Sequence, residues 1–120
     1  NAPSEKAARK LIRKISDSDL VKAAMYGRDP NWGRIICAAG NAGIPFDYKK
    51  ADLFLGDENK LINVLDKGTP NDYDRHYMKK LLRESHVKIK FDLHNGRAKA
   101  KGWGSDLTPD YVLFNSIYTT

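Results

Sequence analysis

The chain has 120 residues, about the size of one domain, and its 21 lysines and arginines against 15 aspartates and glutamates give a net charge of +6. This basic balance favours acidic partners such as nucleic acid, anionic membranes or carboxylate metabolites. The single cysteine excludes an internal disulfide framework and a metal site built from cysteines alone, and no apolar run is long enough for a transmembrane helix or a signal peptide. The first residue is asparagine rather than methionine, so we expect a chain that was processed, cut or excerpted from something longer.

The first third of the chain predicts three helices. Residues 4–15 carry apolar side chains on one helical face, and Ser4 is a suitable N-cap. Residues 16–19 match the S-x-x-D pattern that restarts a helix, and Gly27 is placed to end this second helix. A third helix is expected over residues 31–42, because a proline stands directly before it and small apolar residues follow.

The middle of the chain predicts two short strands and a fourth helix. Residues 51–55 and 61–65 are strand-like segments joined by a charged turn, and residues 67–70 are expected to form a loop. Apolar side chains at helical spacing then mark one face of a helix over residues 72–84. These side chains are Tyr73, Tyr77, Met78, Leu81 and Leu82.

The clearest periodic pattern is HVKIKFDLH, residues 86–94, in which apolar and polar side chains alternate. Such alternation is typical of a half-buried strand. Asn95-Gly96 follows, a strong hairpin signal, so a return strand is expected over residues 97–103. The expected cross-strand pairs are Leu93 with Ala98 and Phe91 with Ala100.

A last helix is predicted to start at Thr108-Pro109, where the threonine is suited to cap the helix and the proline fits its first turn. The order of the elements predicts an α+β fold in which an antiparallel sheet packs against helices. We expect residues 1–120 to form a single domain or segment.

The histidines and the cysteine offer little evidence of catalysis. His86 and His94 fall on the outward face of the predicted strand, and His76 lies near two aspartates on a helix, so all three are expected at the surface. No two histidines have the i, i+4 spacing of a helical zinc site, and we predict no metal. Cys37 lies in an apolar helical run, which favours a buried small side chain over a nucleophile.

The stretch GRDPNWGRI, residues 27–35, has an unusual composition directly before a helix. Asp29 and Asn31 are suited to cap that helix, and Arg34 is suited to pair with a carboxylate of the protein or of a substrate. No nucleophile or acid–base pair is recognisable from spacing anywhere in the chain. The residues alone therefore indicate either a binding module or one part of a site that another polypeptide completes.

Four distinctive segments are spread along the chain. They are Ser18-Asp19-Leu20-Val21-Lys22 with Ala24, residues 27–35, Gly102-Trp103-Gly104-Ser105-Asp106-Leu107-Thr108, and Tyr111-Val112 followed by Asn115 to Thr120. They resemble segments of the ornithine acetyltransferases, the bifunctional glutamate N-acetyltransferases of arginine biosynthesis. The similarity covers essentially all 120 residues, with departures at Gly102 and Ser105, where the family commonly has alanine and cysteine.

The resemblance implies an enzyme whose precursor cuts itself before a threonine. That threonine takes acetyl from N-acetylornithine and passes it to glutamate through an acetyl-threonine intermediate. The family's cleavage motif, nucleophile and oxyanion residues are not found in this sequence, so the resemblance implies the C-terminal part of the β chain, with no catalytic residue of its own. The implied partners are the α chain and the N-terminal part of the β chain, in a hetero-oligomer.

By the same resemblance, Asn115 and Thr120 are expected to bind substrate, as the family's C-terminal asparagine and threonine do. Asp29, Asn31 and Arg34 are expected to hold a turn at the edge of the active site. The resemblance implies no cofactor, although some members accept acetyl-CoA as a substrate. It also implies a cytoplasmic location, or a mitochondrial one if the source is eukaryotic, and no membrane partner.

Two other functions remain open. One is a self-cleaving amidohydrolase or aminopeptidase of similar architecture. The other is a small basic nucleic-acid-binding domain, in which a row of cations on the sheet would lie near Trp103. Nucleic acid is the less favoured partner, because Phe91 would face the core and Asp92 interrupts the row. The cations of that row are Lys88, Lys90, Arg97, Lys99 and Lys101.

Overall fold

The computed structural model describes residues 2–84, 86–102 and 104, and it has the predicted α+β architecture. Three helices come first, and a four-stranded antiparallel sheet with one inserted helix follows. The last predicted helix lies outside the described residues. Within the described part of the chain, no helix has the length and apolar character needed to span a membrane.

Each of the first three helices begins at a polar cap. Helix α1 spans Glu5–Ser16, α2 spans Asp19–Tyr26 and α3 spans Trp32–Gly40. The Ser4 hydroxyl accepts a hydrogen bond from the Ala7 N–H at 3.0 Å, which confirms its predicted role as a cap. A second helix forms as predicted, but its predicted cap residue is wrong. Ser18 caps α2, because Ser16 still belongs to the last turn of α1.

The sheet is built around its central strand β1. Strand β1 spans Asp52–Asp57, β2 spans Leu61–Asp66, β3 spans Thr69–Pro70 and β4 spans Val87–Asp92, while helix α4 spans Arg75–Leu82. The strand order is β3-β2-β1-β4, so β1 pairs with β2 on one side and with β4 on the other. The loop predicted at residues 67–70 is instead a tight turn into β3, in which Thr69 pairs with Asp66.

One apolar core joins the helices to the sheet. Leu53 and Leu55 of β1, Ile35 of α3 and Met78 of α4 are all fully buried and belong to the same cluster. The predicted face of α4 is correct for its later residues, but Tyr77 is 41% exposed because it lies at the edge of that apolar stripe.

The predicted hairpin at Asn95-Gly96 does not form. The chain turns away from β4 after His94, whose φ of +51° lies in the left-handed region. Ala98 then pairs with Ala2, through N–H to carbonyl distances of 2.8 and 3.1 Å. Gly96 allows this path, since a Cβ atom there would lie 2.3 Å from the Ala2 carbonyl oxygen.

The alternation predicted for the return strand is nevertheless present. Ala98 and Ala100 are half-buried, whereas Lys99 and Lys101 are exposed. The small side of this segment lies toward α1, where a Cβ atom on Gly102 would be 2.4 Å from a methyl carbon of Ile12. The cross-strand pairs predicted with Leu93 and Phe91 are therefore wrong, because the N-terminal part of the chain takes the place of β4 as partner.

A histidine lies between two carboxylates where β1 and β4 meet. His94 Nε2 is 2.5 Å from Asp52 Oδ2, and His94 Nδ1 is 3.6 Å from Asp92 Oδ1. Asp52 also accepts a hydrogen bond from the Lys67 N–H at 2.8 Å. Partial burial raises the pKa of Asp52, but the hydrogen bonds from His94 and Lys67 and the charge of His94 outweigh that effect and place the pKa below its usual value of 3.8.

We expect the free energy of unfolding to fall less on acidification in the variant Asp52→Asn than in the wild-type protein. A carboxyl group whose pKa is lowered by folding stabilises the protein above the unfolded pKa, and this contribution disappears as the pH falls through the folded value. Urea unfolding from neutral pH to about pH 3 should therefore show a shallower acid decline for the variant, together with lower stability at neutral pH. Identical declines for the two proteins would contradict the interaction with His94.

Candidate functional site

The stretch at residues 27–35 forms a tight connection between α2 and α3. Arg28 adopts a φ of +54°, and its guanidinium donates to the Tyr26 carbonyl oxygen at 2.6 Å. The Asp29 N–H donates to the Ala24 carbonyl oxygen at 2.8 Å and so closes the end of α2. The connection is held by its own hydrogen bonds, because a left-handed residue other than glycine persists only where its surroundings fix it.

Asn31 is the residue that organises the start of α3. Its side-chain oxygen accepts from the Arg34 N–H at 3.1 Å, and its amide nitrogen donates to Asp29 Oδ2 at 3.4 Å. The prediction that Asn31 caps the helix is confirmed. Asp29 does not cap α3 itself but binds the residue that does.

Arg34 joins the beginnings of two helices. Its Nη1 donates to the carbonyl oxygen of Leu20 at 3.0 Å, and Leu20 lies in the first turn of α2. Among the described residues no carboxylate forms a salt bridge with Arg34, so the predicted carboxylate partner within the protein is not seen there. The structure therefore brings Asp29, Asn31 and Arg34 together, and their side chains bond to one another or to backbone groups of the protein.

Two cavities in the described part of the chain lie away from this turn. A surface cavity of about 210 Å³ is lined by the end of α1, the start of α2 and the end of α3. A second cavity of about 100 Å³ lies between α1, α2 and β4. Neither is lined by Asp29, Asn31 or Arg34. Ligand pockets usually enclose about 300–1,000 Å³.

The histidines are not grouped into a metal site. His76, His86 and His94 are all exposed, as predicted, and His94 also contacts Asp52 and Asp92. The described residues contain no group of three or more histidine, cysteine or carboxylate side chains suited to a metal ion. Sequence reasoning missed the contact between His94 and Asp52 because the two residues are 42 positions apart and no local pattern links them.

Cys37 is exposed, so its predicted burial is wrong. In α3 the buried face is formed by Ile35, Ala38 and Ala39, and the rotation of the helix turns position 37 away from it. An apolar run does not specify which of its residues face the core.

The predicted row of cations does not form a single platform. Lys88 and Lys90 lie on the exposed side of β4, where the Lys90 ammonium is 5.3 Å from the centre of the Phe54 ring. The cations at positions 97, 99 and 101 belong to a segment that pairs with Ala2 rather than with β4. Trp103 lies outside the described residues, as do the predicted substrate-binding residues Asn115 and Thr120.

Comparisons with known proteins agree on one family. The model of the ArgJ family matches residues 1–120. The arginine biosynthesis bifunctional protein ArgJ of Thermotoga neapolitana is 45% identical over 120 residues, which are 100% of this chain and 30% of that protein. The chloroplastic ArgJ of Ricinus communis is 48% identical over 122 residues, covering 98% of this chain and 25% of that protein. A crystal structure of ArgJ from Bacillus halodurans superposes with a TM-score of 0.87 and 38% identity, covering 98% of this chain and 54% of that one.

The matches extend over this whole chain but over only part of each relative. The chain spans 30% of the length of the Thermotoga neapolitana protein and 25% of the Ricinus communis protein. The family predicted from the sequence is confirmed by all three comparisons, with the same fold in the solved structure. The chain belongs to the ArgJ family.

Proposed function

We propose that the chain is one part of an ornithine acetyltransferase, an enzyme of arginine biosynthesis that moves acetyl from N-acetylornithine to glutamate. The match of all 120 residues to the ArgJ family carries this proposal. The relatives are named bifunctional proteins of arginine biosynthesis. Because the chain spans 30% of the Thermotoga neapolitana relative, we assign the nucleophile to another segment of the enzyme.

In the proposed reaction, a threonine hydroxyl of another segment attacks the acetyl carbonyl of N-acetylornithine. A nearby amine acts as base and an oxyanion hole stabilises the tetrahedral intermediate. The ornithine amine leaves with the proton, and acetyl-threonine remains. The amine of glutamate then attacks this ester, which releases N-acetylglutamate and restores the hydroxyl. The residues of this chain bind and orient the substrates but form none of these bonds.

Within this reaction, Asn115 and Thr120 are proposed to bind the substrate. An amide side chain both donates and accepts hydrogen bonds, and a hydroxyl does the same, so both suit an amino-acid head group. The proposal rests on their match to the family's C-terminal asparagine and threonine, since both lie outside the described residues.

The turn with Asp29, Asn31 and Arg34 is proposed to support the edge of the active site rather than to contact substrate. Its polar side chains are already engaged with the backbone and with one another. Such groups fix the angle between α2 and α3, and a fixed scaffold keeps binding residues in a productive geometry.

The remaining parts of the enzyme are proposed to be an α chain and the N-terminal part of the β chain, assembled as a hetero-oligomer. No cofactor is proposed, and acetyl-CoA is a further acetyl donor to be tested. The cytoplasmic or mitochondrial location stays a prediction, and the Ricinus communis relative is named chloroplastic.

The decisive experiment is an assay of the complete processed enzyme with N-acetylornithine and glutamate. Formation of N-acetylglutamate and ornithine in equal amounts supports the proposal. Hydrolysis of a peptide amide without acetyl transfer would instead identify an amidohydrolase or aminopeptidase.

Nucleic-acid binding is not favoured by the structure, because the predicted row of cations is divided between two segments. A nucleic-acid affinity that falls steeply as the salt concentration rises would be the evidence in its favour.

We expect Asn115→Ala in the complete enzyme to raise the KM for N-acetylornithine about tenfold or more, because a lost hydrogen bond to a charged ligand costs about 1.5–3 kcal/mol. Thr120→Ala should act in the same direction. Asn59→Ala, at an exposed position between β1 and β2, is the matched control and should leave KM unchanged. Steady-state kinetics with varied N-acetylornithine distinguish the variants, and an unchanged KM for Asn115→Ala would refute its proposed role.

We expect Arg34→Met to lower the free energy of unfolding by about 1 kcal/mol without changing KM, because it removes the hydrogen bond to the Leu20 carbonyl. Arg97→Met, at an exposed position after β4 and outside the helices, controls for the loss of a cation and should be neutral. Urea unfolding and kinetics on the same samples provide both quantities. A large rise in KM with unchanged stability would show that Arg34 contacts substrate.

A further inference from the structure

The Asn95-Gly96 dipeptide does not have the role that its sequence predicted. No hairpin forms there: the ladder of β4 ends at Asp92, and the next backbone pair that the structure describes is that of Ala98 with Ala2. Asn95 and Gly96 are both exposed. Within the described part of the chain, neither the Asn95 side chain nor the Gly96 N–H takes part in a hydrogen bond. The side-chain carbonyl carbon of Asn95 is therefore open to the nucleophile that follows it in the chain, the Gly96 nitrogen.

The other exposed asparagines of the described chain are held differently. At Asn41 and Asn59, the N–H of the following residue donates to an oxygen of the protein, at 3.1 and 2.8 Å. At Asn71 the side-chain amide itself donates, to the side-chain oxygen of Asn63 at 2.8 Å. A nitrogen or an amide that is engaged in this way is less free to react with its neighbour. Asn95 is also the one asparagine of the sequence that precedes glycine, whose missing Cβ leaves the attacking nitrogen unhindered.

We propose that Asn95 is a modification site, at which the asparagine converts to aspartate and isoaspartate through a cyclic imide. Hydroxide removes the proton of the Gly96 N–H, and the nitrogen forms a bond with the side-chain carbonyl carbon of Asn95. The bond from that carbon to the side-chain nitrogen then breaks, and this nitrogen takes up a proton from water and leaves as ammonia. Water next adds to one of the two carbonyl carbons of the ring and breaks its bond to the Gly96 nitrogen. Ring opening at the side-chain carbon gives aspartate, and opening at the main-chain carbon gives isoaspartate, in which the chain runs through the side chain.

The isoaspartyl product lengthens the main chain at a place with little room. It adds one carbon atom to the backbone directly before Gly96. Gly96 lies against the N-terminal part of the chain, since a Cβ atom on it would be 2.3 Å from the Ala2 carbonyl oxygen and 3.0 Å from the Pro3 Cα. Segments with few buried contacts open at low free energy. The added atom is therefore expected to open the neighbouring backbone pair between Ala2 and Ala98.

Peptide mapping by mass spectrometry tests the modification on the complete protein without any substrate. The protein is incubated for several days at mildly alkaline pH and compared with an unincubated sample that is digested in the same way. Conversion replaces NH2 by OH and so raises the mass of the peptide, and electron-transfer fragmentation distinguishes isoaspartate from aspartate. We expect Asn95 to convert about tenfold faster than Asn59 in the same sample, because glycine leaves ring closure unhindered. Equal rates at the two positions would overturn the proposal.

Hydrogen exchange on the incubated protein tests the effect on the backbone pair. Converted molecules are separated by ion exchange through their added negative charge, and a peptide from β2 serves as internal reference. We expect molecules with isoaspartate to lose the exchange protection of the peptide that contains Ala98, because the pair with Ala2 has opened. Isoaspartate at this position with unchanged protection of that peptide would overturn the proposed opening.

Two variants separate the added backbone atom from the added charge. Freshly prepared Asn95→Asp carries the charge without the extra atom and should keep the protection. Asn95→Gln, whose longer side chain closes a larger and less favourable ring, should keep it even after incubation. Loss of protection in fresh Asn95→Asp would assign the effect to charge and contradict the argument from chain length. If a variant does not fold, the rates at Asn95 and Asn59 in the wild-type protein still decide whether the site is modified. Neither measurement depends on acetyl transfer, so failure of the proposed function leaves both results unaffected.

Discussion

The burial of β1 is the constraint on which the other elements depend. This strand pairs with β2 on one side and β4 on the other, and its Leu53 and Leu55 are completely removed from solvent. Because a central strand satisfies its backbone groups only through both neighbours, the position of β4 follows from that of β1. The helices then cover the apolar face that the strands share, and the same core cluster contains residues from α1, α2, α3 and α4.

The turn between α2 and α3 shows how polar residues near a proposed site are used by the fold. Asn31 caps α3, Asp29 binds Asn31, and Arg34 reaches back to the Leu20 carbonyl. Each of these side chains satisfies a donor or acceptor of its own surroundings, which makes the connection stiff. A stiff connection is consistent with the supporting role proposed for it.

The two ends of the described chain are joined through the region after β4. Ala2 pairs with Ala98, and Gly102 lies against α1, so residues 95–102 connect the sheet to the first helix. Directly before residue 95, His94 lies between the carboxylates of Asp52 on β1 and Asp92 on β4.

The sequence by itself determined the elements whose signals are local: the caps at Ser4 and Asn31, the apolar faces of the helices and the alternation along β4. The family and the α+β class were also predictable, since distinctive segments occur in order along the whole chain. Only the tertiary structure decided the pairing partner of residues 95–102, the exposure of Cys37 and the contact between His94 and Asp52. The physical reason is that periodicity and capping depend on neighbours in sequence, whereas strand partners and side-chain pairs result from competition among distant segments for burial and hydrogen bonds.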